Sequence, residues 1–320
     1  MFNLKVVKCV LLFFSMFVVF ILGFIYFFGY KFNIYVVPPT PQEYVKVAIE
    51  NMDDLGIFTD SKEWKKIKEQ TLENSADVKE YSDTIPILQK AIKVAGGKHS
   101  FIEDIKNISD KGTNTYIKPK IDMEKNILVL SIPEFTGNEK ESQEYATILE
   151  TALHTDKYKG VIIDLRGNRG GDMNPMILGI SSILPDGNLF SYIDRNNNCK
   201  SVDLENGEIN SGGSAIKVTN TTKIKKIPIA VLIDKDTGSS GELTALCLKG
   251  LSNAKFFGSD SAGYTSANQE VHLYDGSIMQ ITSAFIKDRT GKIYKNTPIE
   301  PDIYTTDEKG SAINWIEHDE

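Results

Sequence analysis

The chain has 320 residues, 41% hydrophobic and 25% charged, enough apolar material for a sizeable core in one or two domains. Its net charge is −7, yet residues 1–31 hold three lysines and no acid, so residues 32–320 carry −10; such a body argues against nucleic acid and suits cationic partners or plain solubility. Three widely spaced cysteines without a C-x-x-C pair, and four histidines without an H-x-x-x-H pair, argue against a disulfide framework and a metal mechanism, so no metal or cofactor is expected.

The chain opens on "CVLLFFSMFVVFILGFIYFF", residues 9–28, uncharged and almost wholly apolar. Twenty helical residues rise roughly 30 Å, the thickness of the hydrocarbon core. Lys5 and Lys8 precede the run and keep the N-terminus in the cytoplasm, while Tyr26, Tyr30 and Tyr35 fall near the far interface. A cleaved signal peptide is the rival reading, but the apolar run is long and lacks a small-x-small cleavage site. Residues 1–31 are therefore expected to be a single-pass anchor in the cell membrane, with the rest of the chain extracellular.

"YKFNIYVVPPTPQ" reads as a short connector whose prolines favour extended chain. Residues 41–96 show helical periodicity, with Tyr44, Val45, Ala48 and Met52 on one face, and residues 32–97 are expected to form a helical subdomain of about three helices. After Gly96-Gly97 the pattern changes, and residues 98–320 are expected to be the core domain. "NILVLSIPEF", "GVIIDLRGNRGG" and "PIAVLID" read as buried strands, with an amphipathic helix over 138–155 between the first two. "AKFFGSDSAG", "EVHLYDGSIMQITSAFI" and "KIYKN" read as further strands, "KDRTGK" as a hairpin turn and "GSAINWIEH" as a last helix. Strands alternating with helices imply an α/β core.

Three segments stand out chemically. In "DKDTGSSGELTALC" a strand enters a turn and leaves as a helix. Ser239 with Glu242 forms a Ser-x-x-Glu capping box, which explains both residues without catalysis. Gly238 and Gly241 flank the serines, however, and allow another chain to approach closely. A hydroxyl on such a turn is exposed at the sheet edge, where a nucleophile would stand. In "DLRGNRGGD" a glycine-rich turn follows a strand, and no Gly-Lys-Ser/Thr follows, so a phosphate loop fails. Its amides at Gly170 and Gly171 would serve an oxyanion hole, and Asp164 with Arg166 would hold the turn. In "GGKHSF" His99 follows a Gly-Gly break, whereas His154, His272 and His318 have ordinary places on a helix, a strand and the tail. A hydroxyl, a near-neutral base and preorganised donors together meet the needs of acyl transfer. Spacing does not decide whether His99 reaches Ser239.

"VIIDLRGNRGG", "TGSSGE" and "IEPDI" resemble three signature blocks of the tail-specific, or C-terminal processing, serine peptidases and their tricorn-type relatives. "AIKVAGGKHSFIE", "IPEFTGN" and "GSDSAGYTSANQ" extend the resemblance over nearly the whole chain, in particular to the branch of that family that confers resistance to the lantibiotic nisin. The resemblance implies a crotonase/ClpP-like α/β core with an N-terminal helical subdomain, preceded by one transmembrane helix. It implies Ser239 as nucleophile and His99 as base, an oxyanion hole from the amides of Gly170, Gly171 and Ser240, and support from Glu242 and Ser100. Two departures accompany it. Tail-specific enzymes carry a lysine base 25 residues after the serine, where this chain has Tyr264. They also insert a PDZ domain, for which the 27 residues between His99 and Ile127 leave no room. Both departures fit the tricorn-like variant with a Ser-His dyad. The implied substrate is nisin, a cationic lanthionine-containing peptide cleaved near its C-terminus outside the membrane. The alternative is an immunity protein that sequesters the lantibiotic without cleaving it.

Overall fold

The structure is a computed structural model describing residues 4–32, 34–105, 116–155, 157–224 and 227–318; residues 1–3 of the expected anchor lie outside these. The chain forms two compact units, Met1–Asp110 with Gln269–Ile281, and Lys111–Asn268 with Thr282–Glu320.

The first unit begins with α1 (Leu4–Phe28) and a short 3-10 turn, Gly29–Phe32. Within α1, Lys8–Phe28 is long and apolar enough to cross a membrane and is wholly unburied. Three helices follow: α2 (Pro41–Leu55), α3 (Lys62–Asn74) and α4 (Tyr81–Gly96). Thr40 caps α2 in a reciprocal box with Glu43, Pro41 takes the first helical position, and Ser61 caps α3. Gly97, at φ 79°, ends α4 as the sequence suggests. The apolar faces meet in one core, with Tyr44, Val45, Ala48 and Met52 against Trp64, Leu88 and Ile92. A distant stretch completes it: Leu273, Met279 and Ile281 pack into the same core, and Phe101–Glu103 (β1) pairs antiparallel with residues 278–280. The helical unit is thus not one contiguous segment, because its apolar face is closed by chain from far downstream.

The second unit is built on a six-stranded sheet. Its strands are β2 (Lys120–Glu124), β3 (Ile127–Ser131), β4 (Gly160–Asp164), β8 (Ile229–Ile233), β9 (Ala254–Gly258) and β13 (Ile303–Tyr304), in the order β13-β9-β8-β4-β3-β2. All neighbours are parallel except the β2 edge. The parallel strands are near-continuous apolar runs because both faces are covered. On one face lie α5 (Glu139–Thr155), α6 (Met173–Gly179) and α7 (Ser240–Leu246), packed through Tyr145, Leu149, Met176 and Leu246. On the other, Ala312, Ile313 and Ile316 of α8 (Glu308–His318) cover Ile162, Ala230 and Leu232. A second sheet joins β5 (Gly187–Asp194) to β6 (Cys199–Glu205), β7 (Glu208–Ile209) and residues 284–288 of β11 (Ile278–Asp288). The expected hairpin turn at "KDRTGK" closes with Asp288 N–H donating to Lys292 C=O.

Candidate active site

β4 and β8 are adjacent and parallel, with Asp164 opposite Leu232, so the turns leaving their C-terminal ends stand side by side. That edge is where open α/β sheets bind ligands. Leaving β4, the Arg166 guanidinium grips Asp164 through Nε (2.9 Å) and Nη2 (2.7 Å) and reaches Glu308 of α8 through Nη1 (2.9 Å). Leaving β8, Asp234 accepts from the Gly167 N–H (3.0 Å) and the Asp236 N–H (3.0 Å), joining the two turns. The Thr237 hydroxyl donates to Leu165 C=O at 2.9 Å.

Asn168, fully buried, links them further. Its Nδ2 donates to Ile132 C=O (2.8 Å), its Oδ1 accepts from the Gly170 N–H (2.9 Å), and its own C=O accepts from the Gly238 N–H (2.8 Å). A Cβ on Gly241 would lie 2.6 Å from Asn168 O, and one on Gly170 would lie 2.7 Å from Ser239 Cβ and 2.9 Å from Ser240 N. Gly241 in one turn and Gly170 in the other therefore let the two backbones interlock. Asn168 was not singled out in the sequence; the signal available was one carboxamide inside a glycine-rich turn.

Ser239 stands at the apex of the second turn, partly exposed. Its backbone is at φ 54° and ψ −122°, a region that costs a non-glycine residue about 1–3 kcal/mol and that persists only where the surroundings impose it. The arrangement has capping-box form, with the Glu242 carboxylate accepting from the Ser239 N–H at 3.0 Å, but the Ser239 hydroxyl makes no capping hydrogen bond. Of the three amides expected at an oxyanion hole, that of Gly170 is already engaged by Asn168. Those of Gly171 and Ser240 donate to no protein acceptor among the described residues. The Ser240 hydroxyl donates to Gly171 C=O (2.5 Å), tying these two residues together. Gly171 sits at φ 97° with Phe135 O 1.9 Å from where a Cβ would be, so only glycine fits.

Glu242 does more than complete a cap. It is fully buried, and its carboxylate also accepts from the Ser261 hydroxyl, the Gly263 N–H (2.7 Å) and the Tyr264 N–H (2.7 Å). Burial pushes its pKa above the ordinary 4.5, against the opposing pull of those hydrogen bonds. It staples residues 261–264 to the Ser239 turn. Tyr264, at the position of the tail-specific lysine, lies with its ring edge 3.3 Å from where a Gly238 Cβ would be.

His99 and Ser100 belong to the first unit, in the turn after α4. His99 is partly exposed and Ser100 fully buried, and the Ser100 N–H donates to Gly97 C=O (3.1 Å). His154 bonds Ser182 (2.8 Å), His272 pairs with Glu270 (2.9 Å) and His318 bonds Asn314 C=O (2.7 Å).

Residues 126–305 match Peptidase family S41. The chain is 64% identical over 295 residues to a nisin-resistance protein of Lactococcus lactis subsp. lactis, covering 92% of this chain and 93% of that one. It is 30% identical over 145 residues to the carboxy-terminal processing protease CtpA of Bacillus subtilis, 45% of this chain but 28% of that enzyme. Among solved structures, a lipoprotein from Streptococcus agalactiae superposes with a TM-score of 0.81 at 32% identity, over 90% of this chain and 99% of that one. The photosystem II D1 C-terminal processing protease shares the fold at a TM-score of 0.58 and 14% identity, over 84% of this chain and 94% of that one. With the family's match spanning more than half of its length and a relative of nearly the same length at that identity, this chain belongs to peptidase family S41.

Proposed function

We propose that the chain is a serine endopeptidase, anchored by α1 with its body outside the cell, that cleaves nisin near its C-terminus and so confers resistance. The observation that carries this reading is the Ser239 turn: a strained, partly exposed serine beside the open amides of Gly171 and Ser240.

In the proposed mechanism His99 takes the Ser239 proton as the hydroxyl oxygen attacks the scissile carbonyl, which supplies roughly 10²- to 10⁴-fold. The oxyanion is received by the Gly171 and Ser240 amides; losing one such donor typically costs about 3 kcal/mol. Protonated His99 gives its proton to the leaving amine as the C–N bond breaks. Water then attacks the acyl-enzyme, His99 again accepting the proton, and the shortened peptide leaves with a new carboxylate. Ser100, next in sequence to the base, supports it, and Glu242 holds the nucleophile turn. The −10 charge of residues 32–320 suits a cationic peptide.

Tyr264 in place of the tail-specific lysine favours one rival, a non-catalytic binder that sequesters the lantibiotic. Incubating nisin with the full-length protein and weighing the products separates them. A C-terminally truncated peptide that is absent with Ser239→Ala supports the peptidase. Intact nisin, with cellular resistance surviving Ser239→Ala, supports sequestration and overturns it.

A further inference from the structure

The segment between α1 and α2 is built rather than slack. At its start the chain doubles back: the Ile34 N–H donates to Gly29 C=O at 2.9 Å, and a Cβ on Gly29 would lie 2.2 Å from Ile34 O, so the reversal requires glycine. In its middle, the Tyr35 ring meets Tyr274 edge-on at 4.9 Å, Tyr274 meets Tyr81 at 5.6 Å, and Tyr81 meets Tyr44 of α2 at 5.1 Å. At its end, the Tyr81 hydroxyl donates to Pro39 C=O (2.5 Å), and Thr40 enters the capping box of α2. Pro38 and Pro39 stiffen what lies between.

The other side of the same segment is apolar and uncovered. Phe32, Ile34, Val36 and Val37 are 65%, 52%, 47% and 59% exposed. Ile34 and Val36 flank Tyr35 on the side away from Tyr274. Four large apolar side chains in six residues, directly continuous with a span that is itself unburied, make a surface that water does not suit.

We infer that residues 29–32 and 34–40 are a membrane-seated strap: Phe32, Ile34, Val36 and Val37 lie in the interfacial layer of the lipid bilayer while Tyr35 locks the strap to the helical unit. The occupant of the apolar face is the bilayer, because the face begins where the span ends and tyrosines mark the boundary. A slack chain of twelve residues would reach roughly 40 Å. The strap instead holds α2 and α4 at the membrane surface.

The inference rests on α1 being retained as an anchor, so the test begins with the intact mass of the membrane-embedded protein, which reports retention separately. Full-length protein, with Cys9 and Cys199 replaced by alanine, is reconstituted in vesicles of phosphatidylcholine and phosphatidylglycerol with Val36→Cys carrying a spin label. The strap predicts slow label motion and at least fivefold stronger broadening by a lipid-soluble relaxant than by a water-soluble one. Tyr35→Ser should then raise the mobility of the label severalfold without displacing α1. A fast, water-exposed label in the unmodified strap overturns the inference, as does a mass showing that the span has been removed.

Discussion

Replacing Asn168 by alanine tests whether its buried carboxamide holds the glycine-rich turn in shape. The substitution removes the carboxamide that bonds Ile132 C=O at 2.8 Å and Gly170 N–H at 2.9 Å in a fully buried site. Two buried backbone groups lose their partners, each at about 1–3 kcal/mol, so a stability loss of about 2–6 kcal/mol follows. The second consequence is catalytic. Gly170 precedes the Gly171 amide assigned to the oxyanion, and freeing it loosens the glycine-rich turn between the holds that Asp234 keeps on Gly167 and Ser240 keeps on Gly171. Complete loss of one oxyanion donor costs about 10²- to 10³-fold in kcat, which bounds the effect from above. The expected result is a kcat reduced about tenfold or more with KM little changed, because the damage falls on the transition state. Asn168→Asp keeps an acceptor for Gly170 but sets a carboxylate against Ile132 C=O, and should retain more activity per folded molecule than alanine. The assay is nisin cleavage followed by mass, run well below the unfolding midpoint of each variant. A stable Asn168→Ala protein with kcat within twofold of the parent would refute the reasoning.

Gly171→Ala places a methyl 1.9 Å from Phe135 O at φ 97°, and should cost about 3 kcal/mol or more, whereas Gly167→Ala, at φ 71° with nothing within 4 Å of the added carbon, should cost only about 1 kcal/mol; thermal unfolding of the pair checks both. Glu242→Gln replaces one carboxylate oxygen by an amide donor, which then faces two of the four donors the carboxylate accepts from, and should destabilise by about 2–3 kcal/mol in denaturant titration. Because burial raises the Glu242 pKa above 4.5, the folded state holds its proton longer than the unfolded state as pH rises. That group's contribution to stability therefore falls with rising pH from about 4.5 up to its folded pKa, and Glu242→Gln should flatten this part of the stability–pH curve.

The parallel core was legible because each strand carries its own local signal. "GVIID" and "IAVLI" are apolar runs ending in turn residues, and the structure sets them side by side as β4 and β8. The second sheet was not anticipated. β6 alternates charged and apolar residues, "CKSVDLE", within a polar stretch, and β2, "KIDME", is an exposed edge whose sequence shows no core face. The helical periodicity over residues 41–96 located α2, α3 and α4, but nothing local in "VHLYDGSIM" says that it closes their core; that is a long-range packing fact. At the site, residue types pointed to Ser239 and the glycine-rich turn. What was hidden is how donors are shared. Asn168 occupies Gly170, and Glu242 spends its lone pairs on residues 261–264, neither of which follows from spacing.

The central claim is that Ser239 is a nucleophile activated by His99. A fluorophosphonate, which traps an activated serine by forming a stable O–P bond, tests it directly on the full-length protein. The account predicts one adduct, on the peptide containing Ser239, forming roughly 10²- to 10⁴-fold more slowly in His99→Ala. An unmodified Ser239 in protein that still cleaves nisin, or an adduct rate indifferent to His99, would contradict it.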